Sequence, residues 1–171
     1  LIPEAARDTG PVSLRWMGHE PCDEITSMLD ANSASSAAEF REALRTWKVP
    51  TWSYGFADVD GHIGYQAMGR IPIKEDWGRG YRPGWDPDHQ WRTAIPFDAM
   101  PRMEDPEQGW IRSANNRTVP DDFPYPLSGV WSSGHRARRI RNMIEDKDKL
   151  AREDMATMQA DSLSLRAVEG V

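Results

Sequence analysis

Cysteine is almost missing: Cys22 is the only one in 171 residues. An internal disulfide is therefore impossible, and the redox compartment stays open. No apolar stretch approaches the roughly 20 residues that span a bilayer, and the first residues lack the basic-then-apolar pattern of a secretory signal. The Gly-x-Ser-x-Gly elbow, the P-loop and Gly-x-Gly-x-x-Gly are also absent. That removes the commonest serine-hydrolase and nucleotide-binding signatures. His19, His62, His89 and His135 are dispersed without paired spacing, so with a single cysteine they offer no metal set. Cationic excess is lacking too. A net charge of -6 argues against nucleic-acid and anionic-membrane partners, both of which need positive surface to displace counterions. Cys22 is expected to be a small buried hydrophobe, since no base stands ready to make it a nucleophile.

What is present is the balance of a globular protein, 39% hydrophobic and 28% charged, and 13 Gly with 13 Pro predict long irregular stretches. Val12 to Trp16 reads as a short strand and Asp23 to Leu29 as a short helix. The next helix has stronger signals. Ser36-Ala37-Ala38-Glu39 has capping-box spacing, and Phe40, Ala43, Leu44 and Trp47 follow at i, i+3, i+4 and i+7 until Pro50. From Thr51 the period changes to two: Trp52, Tyr54 and Phe56 alternate, Asp58-Val59-Asp60-Gly61 turns the chain, and His62 to Met68 returns as a β-hairpin. That turn lacks the further oxygens and closing glutamate of a calcium-binding EF-hand.

Residues 74–92 are crowded with Gly, Pro, Trp and charge, which predicts a long surface loop. Its Trp77, Trp85 and Trp91 either line a substrate pocket or anchor the loop to the body of the protein. Another proline-rich loop spans Val119 to Leu127. Two helical segments end the chain, Gly134 to Ile144 and Arg152 to Val168, the second with Met155, Met158, Ser162 and Leu165 on one face as a core stripe. The arginines of Arg136-Ala137-Arg138-Arg139-Ile140-Arg141 are followed closely by acids, so they predict a salt-bridged solvated face rather than a nucleic-acid patch.

Gly109-Trp110-Ile111-Arg112-Ser113-Ala114-Asn115-Asn116-Arg117 is an apolar run, a strand candidate over Trp110 to Ala114, that ends in two adjacent amides. Asparagine is a poor strand residue, so the pair points to hydrogen bonding rather than packing. Upstream lie Tyr54 to Tyr65 with Gly69-Arg70-Ile71-Pro72-Ile73, and Ile95-Pro96-Phe97-Asp98-Ala99-Met100-Pro101-Arg102. In that order the three blocks resemble the β-subunit of the penicillin acylase family of N-terminal nucleophile hydrolases, which includes cephalosporin, aculeacin and acyl-homoserine-lactone acylases.

The resemblance implies an α+β fold: part of an αββα four-layer sandwich, with an antiparallel sheet and flanking helices. It implies hydrolysis of the amide between an acyl chain and an amine. It makes Asn115 the oxyanion donor, Asn116 its support, and Arg136 the arginine that orients the site; the alternative is that both amides merely cap a turn and that Arg136 makes a surface salt bridge. In the family the nucleophile is a serine at the start of the β-subunit whose own α-amine is the base. Residue 1 here is leucine. The expectation is that residues 1–171 are a single internal segment of a β-subunit rather than a complete domain. Its partners would be the α-subunit, the N-terminal part of the β-subunit, and a small acyl amide. No cofactor is expected within this chain, the resemblance leaves a calcium site open in the full-length parent, and the family implies a periplasmic or secreted parent. Asp121 and Asp122 lie earlier in their loop than the family's acidic ligand. A different class of function is an autonomous, catalytically inert domain that binds a ligand or partner through the Trp-rich loop.

Overall fold

Alternating aromatic residues around a tight turn organise the centre of the chain. The computed structural model describes residues 10–74, 80–125, 127 and 130–170. Strand β1 (Trp52–Ala57) pairs antiparallel with β2 (Ile63–Met68), in a register that sets Tyr54 opposite Gln66 and Phe56 opposite Gly64. The turn closes as its sequence predicts. Asp58 Oδ1 accepts from the amides of Asp60 and His62, at 3.1 and 2.8 Å, and Gly61 takes φ +93°, a region glycine enters without steric cost. The third strand, β5 (Arg102–Glu104), pairs antiparallel with β2, giving the sheet order β1-β2-β5.

Helix α1 (Glu24–Ser33) runs further than the sequence suggests, and α2 (Ala37–Ala43) starts at its expected cap. The Ser36 hydroxyl accepts from Glu39 N at 3.2 Å, but the Glu39 carboxylate takes the amide of Ser35 at 2.7 Å rather than that of the cap residue. The apolar stripe behaves as predicted. Leu44 and Trp47 bury with Met68, with Ala31, Phe40, Tyr54 and Phe97 packed around them. Phe40 sits 5.1 Å from the ring of Phe56 and 5.8 Å from that of Tyr54, which docks α2 on the hairpin. A polar lock lies beside this cluster: Arg41 donates to buried Gln66 at 3.0 Å and to Asp98 at 2.8 Å. Arg45 and Arg41 together hold the Asp98 carboxyl well below its usual range.

The long loop is closed at its base by a two-stranded ribbon, β3 (Pro72–Ile73) against β4 (Thr93–Ala94), and Ile95 N donates to Ile71 O at 2.9 Å. After the second proline-rich loop come α3 (His135–Glu145), α4 (Arg152–Ala160) and α5 (Leu165–Glu169). The single helix predicted over Arg152 to Val168 is two, because Asp161 turns out to pair with Arg139 at 2.9 Å and the Ser164 hydroxyl caps a new start. Its expected core stripe is only half covered: Met155 (43%) and Ser162 are exposed, while Met158 and Leu165 are half-buried. Val12 to Trp16 and Trp110 to Ala114 are not strands.

A clasp joins β5 to β2. Asp105, at φ +41°, accepts from Ile63 N at 2.9 Å and from His62 Nδ1 at 2.7 Å. The hydrogen bond to Asp105 raises the His62 pKa, and the Ile63 amide lowers that of Asp105. A raised imidazole stabilises the fold below its unfolded pKa, and this contribution fades as pH rises through the folded value. The lowered carboxyl contributes above its unfolded pKa and is lost as pH falls through the folded value. The clasp therefore holds best between the carboxylate and imidazole ranges. An NMR titration should place the His62 midpoint higher in the wild type than in Asp105→Asn; identical midpoints would remove the clasp.

Helix α1 buries its small residues and exposes its large ones. Ser27 is fully buried and donates to Ala43 O at 2.6 Å, while Ile25 and Leu29, one turn apart, are 75% and 62% exposed. The accessible surface is 12246 Å², whereas a compact monomer of 19.4 kDa exposes about 8,500 Å². The outward apolar face of α1 is part of that surface.

Candidate functional site

The segment from Trp110 to Asn116 leaves the sheet pattern because its polar groups are satisfied locally. Asn116 Oδ1 accepts from Ala114 N at 3.1 Å, and Asn116 Nδ2 donates to Arg117 O at 2.7 Å. Asn116 is thus the residue that forms the turn. Asn115 beside it takes φ +59°, a left-handed conformation that asparagine tolerates better than most residues. Its side chain makes no bond to the turn among the described residues and is exposed.

Three contacts from one short stretch fix Asn115. Ser132 N donates to Asn115 O at 2.7 Å, and Arg136, the second residue of α3, donates through Nη2 to Ala114 O at 2.9 Å and to Asn115 Oδ1 at 2.8 Å. A guanidinium only donates, so the atom facing it must be the amide oxygen and the NH₂ must point elsewhere. Among the described residues that NH₂ has no acceptor. The arrangement is a held, neutral N–H donor with its hydrogens free. The sequence-predicted Asn115, Asn116 and Arg136 do come together, whereas Ser132 went unnoticed: a backbone donor so distant in sequence leaves no signal in spacing.

The tryptophans are placed apart from this group. Trp91 lies under two cations, with Arg15 Cζ 4.9 Å and Lys74 Nζ 5.3 Å from its ring centre, which ties the loop to the body. Trp85 is 88% exposed, and Trp77 lies outside the described residues. Cys22 is exposed rather than buried, and the adjacent Glu24 raises its thiol pKa, the opposite of what a nucleophile needs. Three of the four arginines of α3 are salt-bridged: Arg139 to Asp161, Arg138 to Glu169 and Arg141 to Glu145. Only the last acid is among the near neighbours in sequence. Asp121 is engaged by Arg117, and among the described residues no group of three or more His, Cys, Asp or Glu is arranged to hold a metal ion.

Comparison with known proteins identifies the family of the chain. The family model for penicillin amidase matches residues 1–170. The chain is 38% identical over 132 residues to penicillin acylase 2 proenzyme of Pseudomonas sp. strain SE83, covering 77% of this chain and 17% of that protein. Against the acyl-homoserine lactone acylase QuiP of Pseudomonas aeruginosa it is 31% identical over 156 residues, 90% of this chain and 18% of the relative. The chain therefore spans less than a fifth of the length of these curated relatives. Its fold matches that of a thermostable penicillin G acylase from Alcaligenes faecalis with a TM-score of 0.63 at 23% identity, over 79% of this chain and 25% of that one. The α+β N-terminal nucleophile hydrolase fold is shared with that structure. The chain belongs to the penicillin amidase family.

Proposed function

We propose that these residues supply the oxyanion donor of an amide hydrolase that frees an acyl chain from an amine of the β-lactam or homoserine-lactone type. The observation that carries this reading is Arg136 holding Asn115 Oδ1 at 2.8 Å, because it leaves the amide hydrogens aimed away from the protein's own acceptors. Attack on an amide puts negative charge on the former carbonyl oxygen, and a fixed donor waiting there needs no reorganisation. Asn116 supports the donor by building its turn, and Arg136 positions it. In this reading the nucleophilic serine, its α-amine base, any second donor and any calcium belong to other parts of a longer protein. Relatives named as penicillin and acyl-homoserine lactone acylases support the substrate class.

The test is turnover of a chromogenic phenylacetyl or fatty-acyl anilide. The full-length parent should hydrolyse it. The isolated 171-residue chain should not, and the open apolar face of α1 should make it self-associate in light scattering. Steady turnover by the homogeneous chain would sink the reading. A clean monomer with a cooperative thermal transition would instead favour an autonomous binding domain.

A further inference from the structure

A chain that is acidic overall, at net charge -6, gathers four arginines around one cavity of about 420 Å³: Arg102, Arg112, Arg117 and Arg141. Three of them have acids. Arg102 lies 3.5 Å from Glu104, Arg141 lies 3.7 Å from Glu145, and Arg117 pairs with Asp121. Arg112 has no carboxylate among the described residues. Its one hydrogen bond there is a long one, 3.4 Å to Asn116 Oδ1, and its Nε is buried with no hydrogen-bond partner. A desolvated guanidinium N–H without an acceptor is costly, and a carboxylate is the acceptor whose geometry matches its fork. Tyr65, Trp110 and Val119 also line the cavity, together with Glu145, which Arg141 already engages.

We propose that this cavity is a docking socket for an Asp or Glu side chain carried by a part of the parent polypeptide outside these 171 residues. The proposal rests on the reading above that the chain belongs to a longer acylase. An occupant from the same protein is favoured because the chain spans less than a fifth of its relatives' length. The position adds a consequence. Arg112 lies three residues before Asn115 and shares Asn116 with the turn, so an acid seated on Arg112 would tether the donor segment to the rest of the enzyme.

The test uses the full-length parent, with Arg112→Glu and Arg112→Met as variants. Arg112→Glu should lower the melting temperature by several degrees at low salt. Second-site suppressors of its defect should be Asp or Glu changed to Lys or Arg outside the 171 residues. Arg112→Met keeps the length without the charge, so it should lose less and should lack the salt dependence that the wild type shows. If Arg112→Glu fails to accumulate, the salt dependence of wild type against Arg112→Met decides. Equal salt dependence, or suppressors confined to the 171 residues, would overturn the proposal. So would stabilisation of the wild type but not the Met variant by sodium octanoate, because the cavity would then be open to free carboxylates. Anilide turnover by the same wild-type preparation is scored separately: its absence sinks the acylase reading, and the melting data still decide the socket.

Discussion

In the full-length parent, Asn115→Ala should lower kcat by roughly 10²-fold or more while KM changes little, the usual loss when one oxyanion donor is removed. The small effect on KM follows from where the donor acts, since the full negative charge is present only on the way to the tetrahedral state. Alanine at φ +59° also strains the backbone, by about 1 kcal/mol, which muddles the interpretation of a single variant. Asn115→Gly removes that ambiguity because glycine accepts the conformation and carries no donor. Both variants should fall by a similar factor. A near-normal kcat in Asn115→Gly would make Asn115 a structural residue and end the oxyanion assignment.

Arg136→Met should cost roughly 10- to 10²-fold in kcat, by letting the Asn115 amide rotate, with the site otherwise intact. Arg136 does not reach for the substrate in this reading, so its effect must pass through Asn115. In the Asn115→Gly background the same substitution should therefore cost far less, a non-additivity that a general packing role would not produce. A single nitrogen, Nη2, serves both oxygens, so Arg136→Lys should recover part of the loss. Full additivity of the two losses would separate the residues and leave Arg136 without a positioning role.

Features made by neighbours in sequence were legible, and those made by distant partners were not. The hairpin needed only Asp58 and Gly61 to turn it, and α2 needed only Ser36 and the stripe through Trp47. Asn115 and Arg136 were named together through family resemblance, since nothing in the chain between them, at a separation of 21 positions, announces a meeting. Trp110 to Ala114 reads as a strand by composition, yet the Asn116 side chain satisfies Ala114 N and no ladder forms among the described residues. The helix predicted to Val168 divides where Asp161 meets Arg139, a tertiary contact that local periodicity cannot contain. Cys22 was misread for a similar reason: its small apolar character predicts burial, but the elements present here leave it uncovered.

The ribbon beneath the long loop has a consequence for diversification. Pro72 faces Ala94 and Ile73 faces Thr93, so both ends of residues 74–92 are fixed by pairing outside the loop. For a loop whose ends are already held, doubling its length costs only about 0.6 kcal/mol of closure entropy. Insertions, deletions and grafted segments should therefore be absorbed there without disturbing the Phe40–Phe56 packing or the Asn115 clamp. The ribbon separates a part of the chain free to vary in length from a part that must keep its geometry.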